Sequence, residues 1–293
     1  MRYKLIPVSE ISVDNGYRIS LKREKPFLNE SIGKYGLKTP VSIVKEDSGY
    51  LLITGYKRYD IIKKLNMDKI ECRLIEKPLS DCQKILFNID DNLATDGLSL
   101  YEKINALIKL RNNGCEKFTE YISLLKIDPS LIEEIDFSRL PYEILTMIDN
   151  GDFDKKILSY FKYFNKEQIN LLTKYFIKLQ FTKSEKRKFM DNLLRADEMG
   201  TDITKFLQNN INYEKPRIIK EIIKIINPQT EKLKENFLKI QKQFRGVKLS
   251  AEPYFEDPNL KLEIKFKDFE CLKKKLEKLN KLIKDKTGSW YED

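Results

Sequence analysis

A short segment near the N-terminus combines a glycine with two neighbouring cations in a pattern suited to binding an anion. Residues 50–65 read YLLITGYKRYDIIKKL, which predicts an apolar strand, a break at Thr54-Gly55 and a helix that begins directly afterwards. The N–H groups and the dipole of a helix N-terminus favour an anion. Lys57 and Arg58 fall in the first helical turn, where a phosphate would compensate their charge. The segment predicts a phosphate-binding corner; the alternative is a corner whose two cations face water.

The residue types that are missing exclude several kinds of catalysis. The chain of 293 residues contains no histidine, which excludes Ser-His and Cys-His nucleophilic machinery and the common zinc sites. Its four cysteines show no CxxC spacing and stand at Cys72, Cys82, Cys115 and Cys271. This cysteine usage predicts a reducing, cytoplasmic setting.

The balance of charge favours a polyanionic partner. Lysine and arginine number 55 against 45 acidic residues, which gives a formal net charge of +10. Many of the lysines alternate with glutamates on predicted helix faces and therefore belong to a solvated surface. The first residues lack the apolar core of a signal peptide, and no apolar run approaches the ~18 residues of a membrane span. No membrane association is predicted.

The elements around the corner predict a small α+β domain. A strand is predicted over residues 3–13, a helix over Pro26–Tyr35, and a second strand directly after Thr39-Pro40. The strand and helix of the corner follow, and a last strand is predicted over residues 70–75. Strands that alternate with short helices over about 75 residues indicate one compact α+β unit.

Residues 28–74 carry several short motifs in a fixed order. The chain reads L-N-E-S-I-x-x-Y-G-L-K-x-P-V-x-I-V, then G-Y-L-L-I-T-G-Y-K-R-Y, then I-E-C-R-L, and residues 90–103 read DDNLATDGLSLYEK. This order resembles the N-terminal domain of the ParB family of chromosome and plasmid partition proteins, a superfamily shared with sulfiredoxin. The family's G-x-R-R box matches Gly55-Tyr56-Lys57-Arg58, and its E-N-L-x-R-x-D-L-x-P-x-E-E box is similar to residues 90–103.

The ParB resemblance implies a pocket that binds CTP with magnesium. In that family the G-x-R-R loop holds the triphosphate, and the E-N pair holds the metal ion. Transferred by position, the phosphate-binding residues would be Arg18, Thr54, Gly55, Lys57 and Arg58. The magnesium ligands would be Asp91 and Asn92. Such a site uses oxygen ligands and cations and needs no histidine.

Three positions depart from the family pattern. Tyr56 replaces the acidic residue that follows the box glycine, and Thr95 replaces the arginine of the E-N-L-x-R box. Asp91 is one methylene shorter than the family's glutamate. These changes affect turnover more than binding, so only a weak CTPase activity is expected.

Other activities of the superfamily are less well supported. Sulfiredoxin chemistry is not predicted, because no cysteine lies in the glycyl loop. A small-molecule kinase or a nucleotide sensor would use the same pocket without DNA, and a kinase would need an acidic base, for which Glu30 and Asp60 are candidates. Nuclease activity is not predicted, because the sequence shows no recognisable cluster of catalytic carboxylates.

The middle of the chain predicts helices and one candidate DNA surface. Phe118–Leu125 and Ser130–Ile135 occupy the place of the family's helix-turn-helix. The second helix carries Glu133 and Glu134 and is followed directly by Asp136, and these acidic residues oppose DNA phosphates. The pair is therefore predicted to be degenerate or purely structural. The candidate DNA contacts lie in a later basic run and are Lys183, Lys186, Arg187 and Lys188. The alternative for this run is a solvated helix start.

The last 80 residues predict two helices followed by a ββα unit. The helices cover Glu214–Ile226 and Thr230–Phe244, a hairpin is centred on residues 256–259, and a final helix begins at Asp268. A hairpin with one helix is too small to be stable alone. The ParB resemblance implies a homodimer through this unit; the alternative is a cap over its own chain.

The predicted organisation is an α+β chain of three domains. Residues 1–80 form a ParB/sulfiredoxin-like nucleotide-binding domain, residues 81–212 a helical domain with a degenerate helix-turn-helix, and residues 213–293 the C-terminal helices and ββα unit. The predicted function is a cytoplasmic or nucleoid-associated, CTP–Mg-gated DNA-binding protein of DNA partition, or of the regulation of transcription or mobile elements. The alternative is the kinase or sensor without DNA binding.

Overall fold

The computed structural model describes residues 2–22, 26–47, 49–95, 97–244, 247–252 and 259–284, without the side chain of Leu282. The chain divides into two compact units, Met1–Met190 and Asp191–Asp293. A five-stranded sheet near the N-terminus is followed by a long series of helices, which confirms the α+β class. Within the described ranges, no helix is both long enough and apolar enough to cross a membrane.

The sheet of the first unit is mixed and carries two helices. Its strands are β1 (Arg2–Pro7), β2 (Ile11–Ser12), β3 (Val41–Glu46), β4 (Gly49–Thr54) and β5 (Lys69–Ile75), in the order β1-β5-β3-β4-β2. The helices are α1 (Pro26–Tyr35) and α2 (Tyr56–Lys64). The β3–β4 and β1–β5 pairs are antiparallel, whereas β3–β5 and β2–β4 are parallel. Ile43, Leu52 and Ile62 are fully buried in the core between these elements.

The strand predicted over residues 3–13 is in fact two strands at opposite edges of the sheet. β1 pairs with β5, and β2 pairs with β4. Pro7 has no N–H to continue a ladder, and it leads into a 3-10 turn over Val8–Glu10. The chain is thereby carried from one edge to the other, which the alternation of residues alone did not indicate.

The first eight α-helices after the sheet begin within the first unit. They are α3 (Asp81–Leu93), α4 (Leu100–Asn112), α5 (Phe118–Leu125), α6 (Pro129–Glu134), α7 (Tyr142–Asp149), α8 (Lys155–Tyr160), α9 (Lys166–Leu179) and α10 (Lys183–Glu198). Ser80 and Ser99 start α3 and α4 with capping boxes, in which a serine side chain and the third helical residue satisfy each other's backbone N–H. Helix α4 packs against both α3 and α7. These three helices lie beside the corner between β4 and α2.

The second unit contains the predicted ββα order. Its elements are α11 (Ile203–Asn209), α12 (Lys215–Ile226), α13 (Pro228–Gln241), β6 (Lys248–Ser250), β7 (Lys261–Glu263) and α14 (Phe269–Lys284). β6 and β7 pair antiparallel, and Leu249 of β6 packs beside Phe237 of α13. The predicted hairpin turn at 256–258 lies outside the described residues. A dimer through this unit stays a prediction.

Two of the four cysteines are joined in the first unit. Cys82, in the first turn of α3, and Cys115, just after α4, form a disulfide with their Cα atoms 5.6 Å apart. Cys72 is fully buried in the sheet, and burial raises the pKa of its thiol to about 12. The cysteine spacing did not predict the disulfide, which ties the start of α3 to the end of α4.

Loss of this disulfide is expected to destabilise the first unit. It closes a loop of 33 residues, which in the chain-entropy model corresponds to about 4 kcal/mol. The Cys82→Ser, Cys115→Ser double variant should therefore have a lower free energy of unfolding in urea than the wild type under non-reducing conditions. Cys271→Ser, which changes a free cysteine, is the control and should leave that value unchanged. Equal stabilities for the double variant and the wild type would contradict the pairing.

Candidate functional site

A polar cleft of about 700 Å³ opens beside the corner between β4 and α2. One side is formed by the start of α2 and the other by the end of α3, the start of α4 and the end of α7. Its polar lining is Ser20, Thr39, Tyr56, Lys57, Arg58, Asn88, Asp91, Asn92, Thr95, Ser99, Glu102 and Asp149. The cleft therefore brings the two predicted boxes, residues 55–58 and 91–92, together in one place.

Gly55 makes the close corner between strand and helix. Its φ is +88°, in the left-handed region that favours glycine, and its carbonyl accepts the first helical hydrogen bond of α2 from the Tyr59 N–H at 2.9 Å. A Cβ at Gly55 would lie 2.8 Å from Val41 Cγ1 on β3. Only glycine therefore allows the start of α2 to lie this close to the sheet.

The two cations of the box are held by the surrounding structure. Lys57 Nζ donates to Glu102 Oε1 at 2.5 Å, across the cleft from α2 to α4. Arg58 Nη1 donates to the carbonyl oxygens of Thr39 and Pro40 at 2.6 and 3.0 Å. Both side chains line the cleft. They are thus fixed at the N-terminus of α2, where an anion is favoured by charge and by the backbone N–H groups.

The predicted magnesium ligands lie opposite, on α3. Asp91 accepts from Thr54 Oγ1 through Oδ2 at 2.7 Å and from Arg73 Nη2 through Oδ1 at 2.6 Å. Asn92 donates its amide N–H to the backbone and side-chain oxygens of Asn88 at 2.7 and 2.8 Å. Donation through the amide nitrogen leaves the Asn92 carbonyl oxygen as an acceptor. The chemistry of the pair fits Mg²⁺, which takes one or two protein oxygens and completes its shell with water and phosphates.

The described residues contain no group of three or more acidic or cysteine side chains that could hold a metal ion by themselves. A magnesium ion in this cleft would be held by Asp91 and Asn92, and its remaining ligands would come from water or from a bound phosphate.

Thr54 and Arg18 stand behind the cleft rather than in its lining. Thr54 is fully buried and orients Asp91. Arg18 is 6% exposed, and it pairs with Asp60 at 2.7 Å and lies over the Tyr56 ring at 5.5 Å. Both residues position others, and neither lines the cleft.

The acidic side chains inside the cleft are not the ones nominated as a kinase base. Glu30 is exposed on α1, Asp60 pairs with Arg18, and neither lines the cleft. Glu102 and Asp149 do line it and are 4% and 8% exposed. The S-x-x-E spacing of Ser99 and Glu102 indicates a helix start, but no local pattern shows that this carboxylate faces Lys57.

The lining carries more negative than positive charge. Its cations are Lys57 and Arg58, and its carboxylates are Asp91, Glu102 and Asp149. The lining itself therefore has one negative charge in excess, and Arg73, just behind it, pairs with Asp91 at 2.6 Å, so the cleft offers no net positive charge to a free polyphosphate. A divalent cation bound with the phosphates would reverse this balance.

Neutralising Glu102 is expected to strengthen phosphate binding. Glu102→Gln removes one buried negative charge and frees Lys57 for an anion, while the amide oxygen can still accept from the Ser99 N–H. We expect several-fold tighter Mg–CTP binding by calorimetry, equivalent to about 1 kcal/mol. Glu134→Gln breaks a similar pair, with Lys162 at 2.8 Å, outside the cleft and is the matched control. Weaker binding by Glu102→Gln at unchanged stability would contradict this account of the charge.

The basic run at the start of α10 is only partly a surface. Lys183, Arg187 and Lys188 are exposed. Lys186 is 6% exposed, its ammonium lies 3.4 Å from the Asp152 carbonyl oxygen and 4.9 Å from the Phe153 ring centroid, and burial lowers its pKa. Lys186 therefore belongs to the interior of the helical layer, and the predicted DNA contacts are reduced to the other three.

The predicted helix-turn-helix is a pair of short helices, α5 and α6. α6 is six residues long, and its Glu134 carboxylate pairs with Lys162. Arg111 of α4 donates to the carbonyl oxygen of Ile132 in α6 at 3.1 Å. These contacts join α6 to α4 and to the segment that carries Lys162. The degenerate or structural character of the pair stays a prediction.

Comparison with known proteins gives matches only among solved structures. No family model and no curated protein matches the chain. A Pnob8-like ParB-N domain is 17% identical, with 81% of this chain and 97% of that chain covered and a TM-score of 0.37. C-terminally truncated ParB from Caulobacter crescentus matches in a complex with the centromeric parS site, at 12% identity, 64% and 98% coverage and a TM-score of 0.35. The same protein complexed with CTP-gamma-S matches at 16% identity, 60% and 99% coverage and a TM-score of 0.30.

These matches fall in the group that the motifs of residues 28–74 resemble. All three TM-scores are below 0.5 and all identities are below 20%, so the likenesses by themselves assign neither ligand nor function.

Proposed function

We propose that the cleft binds a nucleoside triphosphate with Mg²⁺, with CTP as the expected nucleotide, and that the chain is a ParB-like DNA-binding protein gated by this ligand. The observation that carries the proposal is the meeting of Gly55, Lys57 and Arg58 with Asp91 and Asn92 in one cleft. The first three residues suit phosphates, and the other two suit the metal ion. No local feature of either box requires the other to be near, so their juxtaposition supports a shared ligand.

A magnesium ion, when bound, would supply positive charge that offsets the charge of the phosphates. Asp91 and Asn92 would hold it, while Lys57, Arg58 and the N–H groups at the start of α2 would orient the phosphates. Arg73 stays beside Asp91 and limits the negative charge at the metal. Turnover would be slow, because Thr95 stands where the family pattern has an arginine.

The DNA-binding part of the proposal is supported by charge. The chain carries a net charge of +10, and Lys183, Arg187 and Lys188 expose three cations on one helix. A homodimer through the ββα unit would double this surface. The proposed biological setting is DNA partition or the regulation of transcription or mobile elements.

A second candidate function is a small-molecule kinase or nucleotide sensor that uses the cleft without DNA. It is favoured by the buried carboxylates Glu102 and Asp149 in the lining, since a kinase needs an acidic group beside the transferred phosphate. The two functions differ in what they do with DNA.

A nucleotide panel distinguishes the two functions. The full chain is titrated calorimetrically with CTP, ATP, GTP and UTP in Mg²⁺, with and without mixed-sequence DNA, and phosphate release is followed in parallel. Selective CTP binding that DNA strengthens or couples to hydrolysis supports the ParB-like function. ATP binding that is indifferent to DNA favours the kinase or sensor and overturns the gating by CTP.

DNA affinity is expected to fall steeply with salt. Each phosphate contact contributes about 0.9 to the slope of log K against log salt concentration. The triple variant Lys183→Gln, Arg187→Gln, Lys188→Gln should lower that slope by up to roughly 3 in fluorescence anisotropy. A control triple, Lys4→Gln, Lys45→Gln, Lys63→Gln, removes the same charge from exposed positions of the first domain. Equal slopes for the two triples would place the DNA surface elsewhere.

A further inference from the structure

A serine hydroxyl and a carboxylate form a pair inside the nucleotide cleft. Ser99 Oγ donates a hydrogen bond to Asp149 Oδ1, and both residues line the cleft. Ser99 is the N-cap of α4, whereas Asp149 is the last residue of α7 and is 8% exposed. The pair has the form of a nucleophile with its general base.

The hydroxyl lies close to the cation predicted to hold a phosphate. One carboxylate connects the two, because Glu102 Oε1 accepts from Lys57 Nζ at 2.5 Å and Glu102 Oε2 accepts from the Ser99 N–H at 3.0 Å. Lys57 and Ser99 are therefore on either side of a single side chain. A phosphate that replaced Glu102 as the partner of Lys57 would lie on the same side of the cleft as Ser99.

The Ser99–Asp149 pair differs from the other serine–aspartate pairs of the described chain. Ser130 with Asp128 and Ser138 with Asp136 are exposed pairs only two residues apart, in which the aspartate also caps a backbone N–H. They are local turns at helix starts. Ser99 and Asp149 are 50 residues apart and are brought together in the cleft by the packing of α4 and α7.

We propose that Ser99 accepts a phosphoryl group from the nucleotide bound in the cleft and that Asp149 is its general base; this rests on the proposed nucleotide binding. Ser99 Oγ forms a bond to the terminal phosphorus, and the bond from that phosphorus to the bridging oxygen of the β-phosphate breaks. The hydroxyl proton passes to Asp149, and the nucleoside diphosphate leaves with the electrons of the broken bond. The products are phosphoserine and a nucleoside diphosphate.

The modification would limit nucleotide binding. A phosphate on the N-cap of α4 is favoured by the N–H groups there, since Ser99 Oγ already accepts from the Glu102 N–H at 3.1 Å. The same phosphate adds negative charge to a cleft that already holds an excess of carboxylates. A phosphorylated chain therefore binds a second triphosphate more weakly than an unmodified one.

The test follows phosphate incorporation and nucleotide binding in the same preparations. The full chain is incubated with Mg–CTP or Mg–ATP and analysed by intact-mass spectrometry and peptide mapping, while calorimetry measures binding. We expect one phosphate per chain, on Ser99.

Three variants test the roles of the two residues. Ser99→Asn keeps an N-cap acceptor and removes the hydroxyl, so it should bind nucleotide and gain no phosphate. Asp149→Asn should slow incorporation by at least about a hundredfold while binding persists. Ser138→Ala, which alters a similar pair outside the cleft, should leave incorporation unchanged.

Each failure has a separate meaning. A wild type that binds nucleotide but gains no phosphate, or a phosphate that persists in Ser99→Asn, overturns the acceptor and leaves the nucleotide site intact. A wild type that binds no nucleotide in calorimetry overturns the nucleotide site and the acceptor together. Incorporation at the wild-type rate in a folded Asp149→Asn variant overturns the role of Asp149 as base.

Discussion

Arg58→Ala is expected to reduce the affinity for Mg–CTP roughly tenfold to a hundredfold, since a hydrogen bond to a charged group contributes about 1.5–3 kcal/mol. Arg58 lines the cleft in the first turn of α2, and its guanidinium is fixed by the Thr39 and Pro40 carbonyl oxygens. A fixed guanidinium loses little conformational entropy when it binds a phosphate. Calorimetric titration of the variant beside the wild type measures the loss directly.

Arg111→Ala is the control for Arg58→Ala, because it removes an arginine whose contact is structural only. Arg111 also donates to a backbone carbonyl, that of Ile132, but it lies outside the cleft lining. Arg111→Ala should therefore lower the free energy of unfolding without changing nucleotide affinity. Wild-type affinity in a folded Arg58→Ala variant would remove Arg58 from the site and with it the assignment of the G-x-R-R box.

Gly55→Ala is expected to damage both the fold and the site. Left-handed backbone at a non-glycine residue and overpacking against Val41 together cost about 2–5 kcal/mol. The strain can be relieved only by moving the start of α2 away from β3. That movement displaces Lys57 and Arg58, so nucleotide binding should be lost even where the variant folds.

A second glycine provides the matched comparison for Gly55. Gly114, between α4 and α5, has a φ of +60°, but a Cβ there meets nothing within 4 Å. Gly114→Ala should lower the free energy of unfolding only by the cost of left-handed backbone at a non-glycine residue, about 1–2 kcal/mol, and should keep full nucleotide affinity. Thermal unfolding and calorimetry of the two variants separate the effect of the contact with Val41, which only Gly55→Ala makes, from the effect of the left-handed backbone, which both share. Similar losses in both would show that the corner tolerates a side chain.

The sequence predicted the local structure well wherever one short pattern decides it. The bounds of α1 and α5 agree with the structure residue by residue, because Gly36 ends the first and a break at residue 126 ends the second. The Gly55 corner was predicted because a glycine between an apolar strand pattern and an amphipathic helix pattern indicates a break between the two elements. The prediction of one strand over residues 3–13 was wrong, because the alternation of apolar and polar residues does not show which strand each segment pairs with.

The motifs of the candidate site could be predicted from the sequence, whereas the hydrogen-bond and charge partners of its residues could not. The G-x-R-R and E-N boxes marked Lys57, Arg58, Asp91 and Asn92, which the structure brings to one cleft. The partners of these residues come from distant parts of the chain, as Arg73 does for Asp91. A contact of this kind depends on how helices pack against the sheet and against one another, which no local spacing records. The burial of Lys186 within a basic run was hidden for the same reason.

The central claim is that the cleft binds a nucleotide together with magnesium. The most direct measurement is a calorimetric titration of the full chain with CTP, first in Mg²⁺ and then with the metal removed by excess chelator. We expect saturable binding of one nucleotide per chain in Mg²⁺ and at least about tenfold weaker binding without it, because the lining itself has more carboxylates than cations. Absence of binding to CTP and to every other triphosphate in Mg²⁺, or binding of the same strength in the chelator, would contradict it.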